Sequence, residues 1–205
     1  MKGLKTIWRR SAELSCRCDH MPEHAKYFER LLVTYCSPVL KRHKAANLFH
    51  INRDLFPTVS ECIEYYNRKW NEKGIYLKSY IRRQGRITLY VYDKYALEHL
   101  LGRDDIIKFL QQYDYPAYKH NLPRMLKHLG KRLTQEEFPH EIGVFLGYPL
   151  PDVIGFIEHR PCVFSGYWKV YQNPSDARKL FALYDRCRNE LQTCISYGNH
   201  LEAVI

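Results

Sequence analysis

Two alternating runs, joined by a short glycine-containing loop, constrain the fold of this chain more than any other feature. Apolar or small residues alternate with tyrosines and polar side chains in residues 76–82 and again in residues 86–92. A period of two is typical of β-strands, so the runs predict an antiparallel hairpin. A two-residue loop would place apolar side chains opposite polar ones, whereas the three-residue loop 83–85 pairs Ile81 with Ile87. We predict the longer loop, with its glycine in the left-handed conformation.

A second signal is helical periodicity, in which apolar residues recur every three or four positions. The segments with this pattern are residues 22–36, 58–74, 95–101, 104–112, 122–133 and the region that follows Asn173. Pro38 predicts that the first helix ends near Cys36, because proline disfavours helical geometry in the residue before it. Thr58 and Glu61 have the spacing of a capping box at the start of the second helix.

The remaining segments complete the predicted architecture. Residues 41–52 start basic and then alternate over residues 47–51, and residues 164–171 also alternate, as further strands would. We therefore predict a single α+β domain over residues 22–197, with helices packed on a small, mainly antiparallel sheet of about four strands. Residues 1–21 are predicted to be a disordered basic leader, and residues 198–205 a frayed tail.

The composition bounds the class of protein. A chain of 205 residues, 45% of them hydrophobic, is long enough for one core, and it has no apolar run of bilayer length. We expect a soluble cytoplasmic protein with no membrane partner, and we expect its seven cysteines to be thiols. The net charge of +10 favours acidic partners such as nucleic acid or an anionic small molecule.

Histidine and cysteine side chains cluster near the start of the chain without the spacing of a common structural zinc site. These residues are Cys16, Cys18, His20 and His24. We therefore predict no metal site, and nothing in the sequence identifies a cofactor or an oligomeric state.

Several short runs are shared with a known family. They are Cys36 and Pro38; Lys44, Asn47 and Leu48; His140 to Pro149, with the sequence HEIGVFLGYP; Asp152, Val153, Gly155, Phe156 and Ile157; and Gly166 with Trp168 to Tyr171, within the sequence GYWKVY. On these runs the chain resembles a bacterial domain-of-unknown-function family (number 3793), over most of its length from about Tyr27 to Leu191. The resemblance implies no activity.

Tyrosines and cations share one face of three predicted strands. The candidate ligand-binding residues are Tyr76, Lys78, Tyr80 and Arg82 on the first strand; Tyr90 and Tyr92 on the second; Tyr167, Lys169 and Tyr171 on the third; and Lys44 in the basic run before the sheet. Aromatic rings interleaved with cations can stack on bases and neutralise phosphate, so we predict a binding module for a nucleotide, nucleic acid or another anion. The same pattern also suits a solvated sheet face or a face under a helix layer.

A thiol-dependent enzyme is the alternative hypothesis. Cys36 precedes a basic run that would lower its pKa, and His140 and Glu141 have the chemistry of a base and the group that orients it. This hypothesis requires the three side chains to meet in the fold.

A third interpretation is a structural or interaction protein containing a helix-turn-helix. Residues 141–159 have the glycine turn and the apolar spacing of such a pair. The second helix is expected to present Asp152, Gly155 and Glu158 to solvent, which is unsuited to DNA, so the pair is interpreted as structural.

Overall fold

A three-stranded antiparallel sheet lies at the centre of the fold. The computed structural model describes residues 21–52, 56–81, 86–118, 121–135 and 137–205. Its strands are β1 (Ala46–Asn52), β2 (Ile75–Ile81) and β3 (Arg86–Asp93), in the spatial order β1-β3-β2. Ile81 pairs with Ile87, which confirms the predicted hairpin register, and the loop itself lies outside the described residues.

Helices make up most of the remaining described chain. They are α1 (Ala25–Leu40), α2 (Val59–Trp70), α3 (Lys94–Leu101), α4 (Asp104–Gln111), α5 (Leu122–Leu133), α6 (Ile142–Phe145), α7 (Leu150–Ile157), α8 (Pro174–Ser196) and α9 (Leu201–Val204). The α+β class is confirmed, and the architecture is compatible with a single domain.

The predicted last strand is shorter than expected and does not join the main sheet. Residues 164–171 instead form a two-stranded hairpin of β4 (Phe164–Ser165) and β5 (Lys169–Val170). The backbone N–H of Gly166 donates to the Trp168 carbonyl at 3.0 Å, which closes the tight turn between the two strands. The fold therefore has one three-stranded and one two-stranded sheet among the described residues, where about four strands were predicted.

The main sheet is covered on both faces. Helices α1 and α2 pack on the face that carries Leu89 and Val91, and they bury Trp70 in the first hydrophobic cluster. The opposite face carries Tyr90 and Tyr92 and packs in a second cluster with residues of α3 to α7. Successive side chains of a strand point to opposite faces, so β3 contributes to both clusters and is buried almost throughout.

The first helix runs past its predicted end. Pro38 lies inside α1, which continues to Leu40, because the last turn is buried and packs in the first cluster. The Ser37 hydroxyl donates to the Val33 carbonyl within this turn. The Pro38 carbonyl accepts the backbone N–H groups of His43, at 2.8 Å, and Lys44, at 3.1 Å, and so fixes the start of the loop that leads to β1.

Two local predictions at helix and chain ends are wrong. Thr58 is the N-cap of α2 but makes no side-chain cap bond, and its hydroxyl lies 3.2 Å from Nδ1 of His24 instead. The segment after Gly198 is not frayed, since it forms α9, whose Leu201 side chain is fully buried. The carboxylate of Glu29 accepts the Leu201 backbone N–H at 2.8 Å and holds α9 against α1.

Candidate ligand-binding pocket

Cys36, His140 and Glu141 do not form a thiol site. Cys36 is fully buried in the first hydrophobic cluster, and this burial raises the pKa of its thiol despite the nearby positive charge of Lys44. A protonated, inaccessible thiol is a poor nucleophile. The predicted lowering of its pKa is therefore wrong.

Glu141 has a structural role instead. Its buried carboxylate accepts Nε of Arg132 at 2.8 Å and the hydroxyl of Tyr115 at 3.2 Å. These bonds join α6 to α5 across the second cluster. His140 is exposed and lies edge-on to the ring of Phe156, with 5.0 Å between the ring centroids. The three predicted catalytic residues thus have three separate environments.

The tyrosine face of the main sheet is closed to ligands. The Tyr90 hydroxyl donates to the Phe145 carbonyl at 2.8 Å, and the Tyr80 hydroxyl donates to the Leu126 carbonyl at 3.2 Å. Burial raises the pKa of Tyr90, and it raises that of Tyr92 to about 12.

The partly buried members of this face pack in the same layer. Tyr76 stacks on Tyr92 with 5.4 Å between centroids, and the ammonium of half-buried Lys78 lies 5.8 Å from the Tyr80 ring centroid. Arg82 lies outside the described residues. The predicted open stacking platform is therefore wrong for the main sheet, because helices after β3 cover it.

The third tyrosine row lies on the small hairpin and borders a cavity. The cavity has a volume of about 350 Å³, and its lining residues all come from residues 138–169. We call it the motif pocket. Its walls and floor are formed by Phe138, His140, Ile142, Gly143, Leu146, Tyr148, Asp152, Val153, Phe156, Tyr167, Trp168 and Lys169. An apolar cavity with a few convergent polar groups, within the usual range of about 300–1,000 Å³, is typical of small-molecule sites.

Asp152 fixes the hairpin against the helix pair. Its carboxylate accepts the indole N–H of Trp168 at 2.8 Å and the backbone N–H groups of Tyr171, at 2.7 Å, and Gln172, at 3.1 Å. The expectation that Asp152 and Gly155 face solvent is wrong, since both are buried. The helix pair is a scaffold that holds the pocket wall.

Two glycines of the helix pair shape the pocket. Gly147 has φ of +78°, a conformation that glycine adopts without steric cost, and it turns the chain after α6 toward Tyr148. A Cβ atom at Gly143 would lie 2.8 Å from a methyl carbon of Val153, so the close approach of α6 to α7 requires glycine there.

The third tyrosine row (Tyr167, Lys169 and Tyr171), which we call the open row, is bonded to α8 through Tyr167. The Tyr167 hydroxyl donates to Asp185 at 2.8 Å and accepts from Arg188, and burial together with the Asp185 bond raises its pKa to about 12. Lys169 is exposed, and its ammonium lies 5.4 Å from the Phe156 ring centroid. This lysine and His140 are thus cationic or polar groups beside an aromatic wall.

Lys44 lies behind that wall. Its ammonium donates to the side-chain carbonyl of Asn47 at 2.6 Å and lies 5.1 Å from the Tyr148 ring centroid and 5.9 Å from that of Tyr184. Tyr148 in turn stacks on Trp168 with 4.9 Å between centroids. Burial lowers the Lys44 pKa to about 8.

The described part of the chain offers no metal site and no membrane span. No three His, Cys, Asp or Glu side chains group there in a way that could hold a metal ion. None of its helices has both the length and the apolar character needed to cross a bilayer. Its cysteines Cys36, Cys62, Cys162, Cys187 and Cys194 are free, whereas Cys16, Cys18 and His20 lie outside this part.

Sequence reasoning missed four aromatic wall residues of the pocket: Phe138, Tyr148, Phe156 and Trp168. A signal was present, since residues 138–171 combine many aromatic residues with closely spaced glycines and prolines. The aromatics belong to helix ends and a hairpin, however, and no single periodicity places them on one surface.

The family described as "Protein of unknown function (DUF3793)" matches residues 32–205 of the chain. No curated protein and no solved structure matches the chain. The matched range contains the whole motif pocket together with Lys44.

Proposed function

We propose that this chain, which belongs to the DUF3793 family of unknown function, binds a planar, anionic small molecule in the motif pocket. One observation carries the proposal: a single cavity is lined by aromatic rings and bordered by Lys169 and His140. Rings supply stacking surface for a planar group, and the lysine supplies a charge for an anion. A nucleotide has both parts.

The polar groups of the pocket favour an anion over a cation. The Asp152 carboxylate also lines the cavity, but its oxygens already accept three N–H donors from the hairpin. Lys169 forms no salt bridge among the described residues, so its charge is available to a ligand. The net charge of +10 adds a long-range attraction for acidic ligands.

The site favours a small molecule over an extended nucleic acid strand. Stacking of successive bases needs a row of exposed rings, whereas Tyr80, Tyr90 and Tyr92 of the main sheet are buried. The motif pocket is one cavity on one side of a two-stranded hairpin. A single planar group matches it better than a strand does.

Tryptophan fluorescence provides the test. Trp168 lies in the pocket wall and Trp70 is fully buried, so a Trp8→Phe background leaves one tryptophan positioned to report ligand. This protein would be titrated with the four common nucleoside 5′-monophosphates, with the matching nucleosides and with inorganic phosphate. We expect saturable quenching by at least one monophosphate, weaker quenching by its nucleoside, and an affinity that falls with salt concentration.

Two matched lysine variants assign the binding to the pocket. Lys169→Gln is expected to weaken monophosphate binding about tenfold, because a charge-assisted contact is lost. Lys78→Gln changes a lysine from the equivalent row of the covered face and is expected to leave the affinity unchanged. Absence of saturable quenching by all four monophosphates at low salt, or equal weakening by the two variants, would contradict the proposal.

A further inference from the structure

Lys44 is a buried cation without a carboxylate partner among the described residues. The residue is 6% exposed, and its ammonium contacts an amide oxygen of Asn47 and the rings of Tyr148 and Tyr184. Burial of a charge is costly, and proteins normally offset it with an opposite charge. Glu141, a buried carboxylate at the start of α6, has Arg132 for this purpose. Lys44 has only dipoles and ring faces.

An ammonium that contacts only dipoles and ring faces, with no carboxylate partner, keeps most of the positive potential around it. A carboxylate would cancel most of the positive potential around it, whereas an amide oxygen and two ring quadrupoles reduce it only in part. Tyr148 contacts Lys44 and also lines the motif pocket. The charge therefore lies one ring behind the cavity, in a region where little water screens it.

We propose that Lys44 is the specificity-determining cation of the motif pocket: it makes the Tyr148 wall electropositive, so that the pocket prefers an anionic ligand to a neutral one of the same shape. This inference rests on the proposed function for its ligand. It differs from the role of Lys169, which contacts the anion directly at the surface, because Lys44 acts through its field and touches no ligand atom.

The charge of Lys44 can be changed by pH, which makes its role testable. Burial lowers its pKa to about 8, so the ammonium loses its proton between about pH 7 and pH 9. The titratable groups that face it are Cys36 from α1, Tyr148 from the turn after α6 and Tyr184 from α8. Burial raises the pKa of all three, so they stay neutral over this interval. The attraction for anions should therefore weaken as the pH rises through 8.

A measurement without any nucleotide tests the electropositive wall. In the Trp8→Phe background, quenching of Trp168 by iodide reports the local concentration of an anion, and quenching by acrylamide reports neutral access. We expect the iodide-to-acrylamide ratio to fall at least twofold between about pH 7 and pH 9.5. Lys44→Met should give the low ratio at every pH, and Lys44→Arg should give the high ratio at every pH, because arginine stays charged.

Nucleotide binding gives the second measurement. Lys44→Met is expected to weaken binding of the preferred nucleoside monophosphate about fivefold to tenfold and to leave binding of the matching nucleoside unchanged. Near-ultraviolet circular dichroism checks that the variant keeps its tertiary packing. If Lys44→Met does not fold, the pH dependence of the unaltered residue and the Lys44→Arg variant still test the idea.

The outcomes separate this inference from the function on which it rests. Monophosphate binding that requires Lys169 but is insensitive to Lys44→Met would overturn the role of Lys44 and leave the proposed function standing. A pH-independent iodide ratio would overturn it as well. The predicted iodide pattern without binding of any monophosphate would support the electropositive wall and reject nucleotides as the ligand class.

Discussion

Two rows of this chain have the same sequence pattern and opposite structural roles. Tyr76, Lys78 and Tyr80 alternate along β2, and Tyr167, Lys169 and Tyr171 alternate along the second hairpin. The tyrosines of the first row lie under a layer of helices and pack in the second cluster. The second row leaves its lysine in solvent and borders a cavity.

The difference lies in the path of the chain after each row. After β3 the chain returns over the tyrosine face, and α3, α5 and α6 bury that face in the second cluster. After β5 the chain leaves in α8, which packs on Trp168, Val170 and Tyr167 but leaves Lys169 exposed. Alternation therefore specifies a strand with two distinct faces, but it does not specify which face stays open.

The largest expected effect distinguishes the two rows by their contribution to stability. Tyr90→Ala removes a fully buried ring and leaves the Phe145 carbonyl without its hydroxyl donor. We expect the free energy of unfolding to fall by about 3–5 kcal/mol, as in other large-to-small core substitutions. Denaturant unfolding followed by circular dichroism measures the change.

The matched control is Tyr171→Ala in the open row. Tyr171 is half-buried on Gly155, and its loss is expected to cost under about 2 kcal/mol. Equal losses in the two variants would mean that the second row is core as well, and the comparison would fail.

The second largest effect concerns Lys44, the buried cation behind the motif pocket. Lys44 has a folded-state pKa of about 8, below its ordinary value of about 10.5, so the folded protein releases this proton earlier than the unfolded chain. The burial penalty is fully present below pH 8 and fades as the pH rises toward 10.5. Relative to Lys44→Met, the protein with lysine should therefore gain about 3 kcal/mol of stability over that range.

The measurement is a pair of denaturant titrations at several pH values. Taking the difference between the two proteins removes the contributions of groups they share. A difference that stays constant from about pH 7 to pH 10.5 would show that Lys44 is not desolvated as the structure indicates.

Two features of the fold that depend on a local sequence pattern were predicted correctly. The hairpin register followed from pairing Ile81 with Ile87, and the fold class followed from periodicity in nearly every helix. The sequence did not predict that Pro38 would remain inside α1, because burial of the last turn outweighs the local preference.

The pocket was predicted only in part, because its residues meet through tertiary contacts. Tyr167, Lys169 and His140 were candidates on chemical grounds, and all three line the motif pocket. They were assigned to two different sites, however. They lie around one cavity because the carboxylate of Asp152 bonds the hairpin to α7. This carboxylate was expected to face solvent. A bond between residues about twenty positions apart has no sequence periodicity.

A smaller effect is expected at Gly155, on which the open row rests. A Cβ atom there would lie 2.6 Å from Cγ and 3.1 Å from Cβ of Tyr171, so Gly155→Ala must displace the hairpin or tilt α7. We expect a loss of about 1–3 kcal/mol of stability, typical of overpacking, and weaker ligand binding in the motif pocket. Unfolding curves and the nucleotide titration measure the two effects. A variant with unchanged stability and affinity would mean that the pocket does not depend on this contact.

The smallest expected effect on stability is at the lysines of the two rows. Lys78→Gln and Lys169→Gln each remove one charge from a side chain that is not fully buried, and each should change the free energy of unfolding by less than about 0.5 kcal/mol. Only Lys169→Gln is expected to weaken binding. Because the two substitutions are chemically identical and neither perturbs the core, a difference in affinity between them reports access to ligand alone. Weaker binding in Lys78→Gln would show that the covered face opens, and the helix layer over the main sheet would then be a cover that moves.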